Sequence, residues 1–188
     1  MKALNKIALT LIGALCAAAN SAYAQQPPDV VMSDALFNTA MGRTATGALA
    51  LGANQSGYQN SAYGASALQA NSTGINNTAT GVFALYTNDG SNNTASGYAA
   101  LFSNSSGQGN TASGLSALHD NTTGNYNTAS GYEALYRNTN GAQNTAAGVN
   151  ALHSNASGDY NTALGTDALY GNTRAPPTLR RGIRRVST

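Results

Sequence analysis

Asn127–Tyr160 reads NTASGYEALYRNTNGAQ and then NTAAGVNALHSNASGDY, two blocks of seventeen residues whose chemistry agrees column by column. Moving in steps of seventeen keeps the same residue types in the same columns, back to Arg43 and forward to Arg174. Self-similarity at a short fixed period marks a repeat architecture, so the register is read before any single motif.

Copies start at Arg43, Asn60, Asn77, Asn93, Asn110, Asn127, Asn144 and Asn161, and the copy Asn77–Asn92 is one residue short near Asp89-Gly90. Column three is Ala from Ala45 to Ala163. Column five is Gly47, Gly64, Gly81, Gly97, Gly114, Gly131, Gly148 and Gly165. Columns eight and nine read Ala-Leu, with Leu51, Leu68, Leu85, Leu101, Leu118, Leu135, Leu152 and Leu169. Column twelve is Asn54, Asn71, Asn88, Asn104, Asn121, Asn138, Asn155 and Asn172, and column two is Thr, or Ser61 once.

Seventeen residues are too few for two helices and a turn, and no helical stripe runs through them. With Gly and Asn at fixed places, the period fits two short strands joined by tight turns. Each strand can then bond to its counterpart in the next coil, about 4.8 Å away. The fold expected is all-β: a parallel β-roll or β-solenoid of 17-residue coils. Glycines of columns five and fifteen are expected at corners, where positive φ is needed. Column-twelve Asn is expected in the left-handed region, its amide laddering with the Asn above and below. The Leu column and the two Ala columns form the interior.

That interior is thin. One Leu and two Ala per coil bury little apolar surface, set against the entropy lost in ordering seventeen residues. A lone coil stack is therefore expected to be marginal and to self-associate, with three chains sharing an axial core as the simplest arrangement. Column ten supports this: Tyr86, Phe102, His119, Tyr136, His153 and Tyr170 make a stripe that a neighbouring chain could cover.

The flanks read differently. Lys2 and Lys6 precede the apolar run 7–19, and Ala22-Tyr23-Ala24 is a small-x-small cleavage site, so residues 1–24 read as an export signal. Cys16 leaves with it; Leu15 before it argues against a lipidation site, and the exported chain has no thiol chemistry. Residues 25–42 form a lead-in containing Pro27-Pro28, with Ala35-Leu36-Phe37 as a partial coil; 43–173 is the eight-coil domain. From Arg174 the register is lost, and 174–188 reads as a basic, disordered tail. The chain has nine Lys and Arg against seven Asp and Glu. Both lysines lie in the leader, so the exported part is close to neutral. The surplus is an export signal and not a nucleic-acid footprint.

The repeat NTAxGxxALxxNxxGxx resembles the head repeats of trimeric autotransporter adhesins (YadA-like, Hep/Hag-type heads). It is also similar to NTAxGxxAL arrays in surface and tail-fibre proteins that carry a self-cleaving C-terminal chaperone domain. The resemblance spans about 43–173 and implies a left-handed, trimeric β-roll standing out from the cell. No heptad stalk or anchor barrel is read up to Thr188, so it implies the head module and not autotransport or tethering.

Candidate chemistry is sparse. Glu133 and Asp167 share column seven two coils apart, while Asp89, Asp120 and Asp159 fall in or beside corners, so no acid–base pair shares a coil. His119 and His153 stand two coils apart, about 10 Å, too far to share a metal. Asn-x-Ser/Thr triplets such as those at Asn71 and Asn121 read as turn and ladder chemistry, not glycan acceptors. Asp89-Gly90 and Asn140-Gly141 are turn signals without the Lys-Ser/Thr of a phosphate loop. The C-terminal arginines lack interleaved aromatics and a fold to present them, so they are a weak signal and no nucleic-acid partner is expected.

The function expected is a secreted or cell-surface, non-enzymatic adhesin or structural module, without cofactor or metal. Its partners would be itself, as a homotrimer, and an extracellular matrix protein or glycan; the mature chain has no membrane-spanning segment. The alternative is a passive spacer projecting other domains. A third reading, an ice- or polymer-binding solenoid, would need a dense two-column array of outward hydroxyls. Only column two is uniform.

Overall fold

The computed structural model describes residues 32–33, 37–42, 50–173 and 179–181. The expected export signal, residues 1–24, lies outside them. Ten short strands form one sheet in chain order: β1 (Met32–Ser33), β2 (Thr39–Met41), β3 (Ser61–Tyr63), β4 (Thr78–Thr80), β5 (Thr94–Ser96), β6 (Thr111–Ser113), β7 (Thr128–Ser130), β8 (Thr145–Ala147), β9 (Thr162–Leu164) and β10 (Leu179–Arg181). From β2 onward every neighbour is parallel and in register, with Ala over Ala from Ala40 to Ala163. The chain is an all-β parallel solenoid, as its period requires.

The first rung departs from the expected register. β2 places Thr39, Ala40 and Met41 over Ser61, Ala62 and Tyr63. Gly64 N then donates to Met41 O at 2.7 Å, and Ala50 N bonds to Gly42 O at 3.2 Å, as Ala67 N does to Gly64 O. Asn38-Thr39-Ala40-Met41-Gly42 is thus the first NTAxG copy, and Gly42, not Gly47, is its corner glycine. Gly47 itself lies outside the described residues. The first coil is longer than the others because seven residues separate Gly42 from Ala50, where two separate Gly64 from Ala67.

The last rung departs as well. Leu179, Arg180 and Arg181 pair with Thr162, Ala163 and Leu164, so one strand continues at the same spacing within a stretch expected to be unstructured. Ladder hydrogen bonds use the backbone alone, so a rung can form where the side-chain consensus has been lost. At the opposite edge, β1 runs antiparallel to β2.

Each coil has one strand and not two. The Ala-Leu side is a run of turns, and each Leu from Leu51 to Leu169 has φ between 50° and 55°. A left-handed backbone is uncommon for a bulky residue. Here it turns the chain while sending the Leu N–H to the next coil: Leu118 N reaches Ala134 O at 2.9 Å, and Leu135 N reaches Ala151 O at 2.9 Å. The side chains point inward, and Leu68 through Leu152 are fully buried, with Leu51 and Leu169 partly covered at the ends. Column-three and column-eight alanines complete the apolar core.

The two glycine columns have different jobs. Column-five glycines take positive φ, 136° at Gly131, and a Cβ there would lie 2.5 Å from Gly148 O. Column-fifteen glycines such as Gly124 have no positive φ. They are needed for close approach, since a Cβ would lie 2.4 Å from both Asn121 Oδ1 and Gly141 O.

Candidate functional surfaces

The interior is partly polar. Column-twelve amides ladder as expected: Asn104 Nδ2 to Asn88 Oδ1, Asn121 Nδ2 to Asn104 Oδ1 and Asn138 Nδ2 to Asn121 Oδ1, each at 2.7 Å. Each Nδ2 also donates to the glycine carbonyl of its own corner, as Asn121 does to Gly124 O at 3.0 Å. None of these Asn takes the left-handed region; that role falls to columns seven, nine and seventeen.

A second ladder, unforeseen from the sequence, runs beside the first. Column one is Asn38, Asn60, Asn77, Asn93, Asn110, Asn127, Asn144 and Asn161, all buried. Asn127 N donates to Asn110 Oδ1 at 2.9 Å, and Asn127 Nδ2 to Gly141 O at 2.8 Å, a pattern repeated rung by rung. No buried side-chain nitrogen or oxygen among the described residues lacks a partner. Buried amides are costly unless bonded, and here two columns satisfy one another along the stack. Burial of Asn71 and Asn121 also closes them to glycan attachment.

The short coil is repaired by a side chain. In full coils the amides of columns thirteen and fourteen donate to a carbonyl above, as Thr122 and Thr123 N do to Thr139 O. With one residue missing between Asn88 and Gly90, the Asp89 carboxylate takes that place. It accepts from Ser72 N at 3.0 Å, Thr73 N at 2.6 Å and Gly74 N at 3.3 Å. Partial burial pushes its pKa up, but these amides and the Thr73 hydroxyl together outweigh it and hold the carboxyl below its ordinary value.

One strip of the outer surface is aromatic. Column ten stacks ring on ring from Tyr86 through Phe102, His119, Tyr136 and His153 to Tyr170, with centroids 4.8–5.3 Å apart and planes within 12°. The stripe therefore covers its own faces and offers ring edges outward. Beside it, column six exposes Val82, Tyr98, Leu115, Tyr132 and Val149 by 38–53 %. Phe83 joins the two, packing edge-on to Tyr86, Tyr98 and Phe102. Glu133 raises the Tyr132 pKa, first by hydrogen bond and then by charge. Burial, then the charges of Asp120 and Glu133, raise that of Tyr136.

Of the candidate ionisable residues, His119, Asp120, Glu133 and His153 fall along this strip, whereas Asp89 and Asp159 bond to backbone amides of neighbouring corners and Asp167 to the Asn150 amide. His119 Nδ1 lies 2.7 Å from Asp120, and His153 Nε2 lies 3.4 Å from Glu133. Tyr136 stands between the two imidazoles, stacked on both. Among the described residues no three His, Cys, Asp or Glu side chains are grouped to hold a metal ion, and no helix is long and apolar enough to cross a membrane. No protein-family model, curated protein or solved structure matches the chain.

Proposed function

We propose that the protein is an exported, non-enzymatic adhesive module of the cell surface or extracellular space, working through the aromatic and apolar strip of columns six and ten. The observation that carries this reading is the continuity of that strip. Contiguous exposed apolar surface on a soluble fold marks an interaction site. Val82, Tyr98, Leu115, Tyr132 and Val149 stand in five successive rungs beside the stacked column, so one contact is repeated along these coils and weak contacts add by multivalency. Copies of the chain would join along the same strip, and the resemblance to autotransporter heads favours three of them in a left-handed roll. A matrix protein or glycan is the partner class.

Sedimentation of the purified chain, together with binding to immobilised matrix proteins and glycans, tests the proposal. Saturable binding that drops severalfold in the Tyr98→Ser, Leu115→Ser variant supports adhesion. A monodisperse monomer that binds nothing would make the protein a passive spacer.

A further inference from the structure

The strand face carries a second surface of different chemistry. In β4 through β7 the middle Ala is buried and both outer residues are exposed. All of these outer residues are hydroxyls: Thr in column two, and Thr80, Ser96, Ser113 and Ser130 in column four. The pairing is in register, Thr94 over Thr111 and Ser96 over Ser113. The hydroxyl lattice thus has two columns, which the sequence repeat alone left hidden because column four changes to Tyr63, Ala147 and Leu164 beyond these rungs.

Among the described residues these hydroxyls have no hydrogen-bond partner. On the corner side, by contrast, hydroxyls are spent inside the fold: Ser105 Oγ, Thr122 Oγ1 and Thr139 Oγ1 each donate to a carbonyl of the next coil at 2.8–2.9 Å. On β4–β7 both the donor and the acceptor capacity of every hydroxyl faces outward. No charge and no aromatic ring interrupts the face.

We infer that this face binds an ordered water lattice, that is, the surface of ice. Tetrahedral water with O–H···O distances of about 2.75 Å puts second-neighbour oxygens about 4.5 Å apart. Rungs of a parallel ladder are about 4.8 Å apart. Residues two apart along a strand are separated by about 6.6 Å, against a layer repeat of about 7.3 Å in the same tetrahedral network. The mismatch along the stack accumulates to about 1 Å over four rungs, which hydroxyl rotation absorbs. A polysaccharide would seek aromatic faces for its rings, and a phosphate or mineral surface would seek charge. The face offers neither. This site uses other columns than the aromatic strip and does not depend on the adhesive reading.

Thermal hysteresis and ice-crystal shaping of the full chain test the inference, with circular dichroism and melting as fold controls. The wild type should shape ice into facets and show a hysteresis gap. Thr111→Lys, in the middle of the face, should remove most of that gap. Thr111→Val, which keeps the shape and loses the hydroxyl, should reduce it severalfold. Thr123→Lys, on the corner side, should leave it unchanged. Round, unshaped crystals from folded protein would overturn the inference, as would an equal loss in Thr123→Lys. Retention on crystalline cellulose or chitin without ice shaping would overturn it too, and would assign the face to a polymer.

Discussion

Replacing Asn121 by Ala tests the amide ladder most directly. The side chain makes three bonds: to Asn104 Oδ1 at 2.7 Å, to Gly124 O at 3.0 Å, and from Asn138 Nδ2 at 2.7 Å. It is fully buried, so water cannot replace them. At about 1 kcal/mol per bond, the loss is about 3 kcal/mol, with the stranded neighbours adding to it. In a cooperative unfolding transition of this chain length that lowers the melting temperature by about 6–12 °C. Asn121→Asp should be worse at neutral pH, because a carboxylate faces two acceptors and cannot donate to either. Thermal melts followed by circular dichroism would measure both. A shift under about 2 °C for Asn121→Ala would refute the reasoning, since it would mean that the column shapes corners without bearing the stack.

Gly131→Ala should prevent folding or destabilise the chain by more than Asn121→Ala, because its Cβ would lie 2.5 Å from Gly148 O at a φ of 136°; soluble yield and melting temperature check this. Asp89 gives a pH dependence with a definite sign. Its folded pKa lies below the ordinary 3.8, so its contribution is present above that value and is lost as pH falls through the folded pKa. The wild type should exceed Asp89→Asn in urea midpoint at pH 7, and the gap should narrow as pH falls below 3.8.

Much of this fold was legible in the columns. The Leu, Ala and column-twelve Asn placements follow from period alone, since unselected linkers have no reason to hold Leu in one column. The first coil misled because Arg43-Thr44-Ala45-Thr46-Gly47 imitates a copy at the correct spacing, while the true rung, Asn38–Gly42, stands five residues earlier. That error also hid the second amide ladder: with Arg43 in column one the column looked mixed, and with Asn38 it is Asn throughout. The left-handed leucines had no sequence signal, because Leu does not favour that conformation. The stack imposes it by giving the Leu amide a carbonyl in the next coil. For the same reason a two-strand coil was expected where one strand and a run of turns are found. The aromatic column was visible, but its self-stacking depends on rung spacing and not on residue type. The second hydroxyl column needed the burial pattern of the strands.

Coil length varies here while the rungs stay aligned: the step from β2 to β3 is 22 residues, that from β4 to β5 is 16, and the others from β3 to β9 are 17. The variation is confined to two places, between the corner glycine and the Ala-Leu pair, and between the column-twelve Asn and its glycine. Those joints act as expansion gaps in an otherwise rigid frame. A foreign peptide spliced between Gly114 and Ala117 should be carried outward like a flag on a mast, leaving the frame to close behind it.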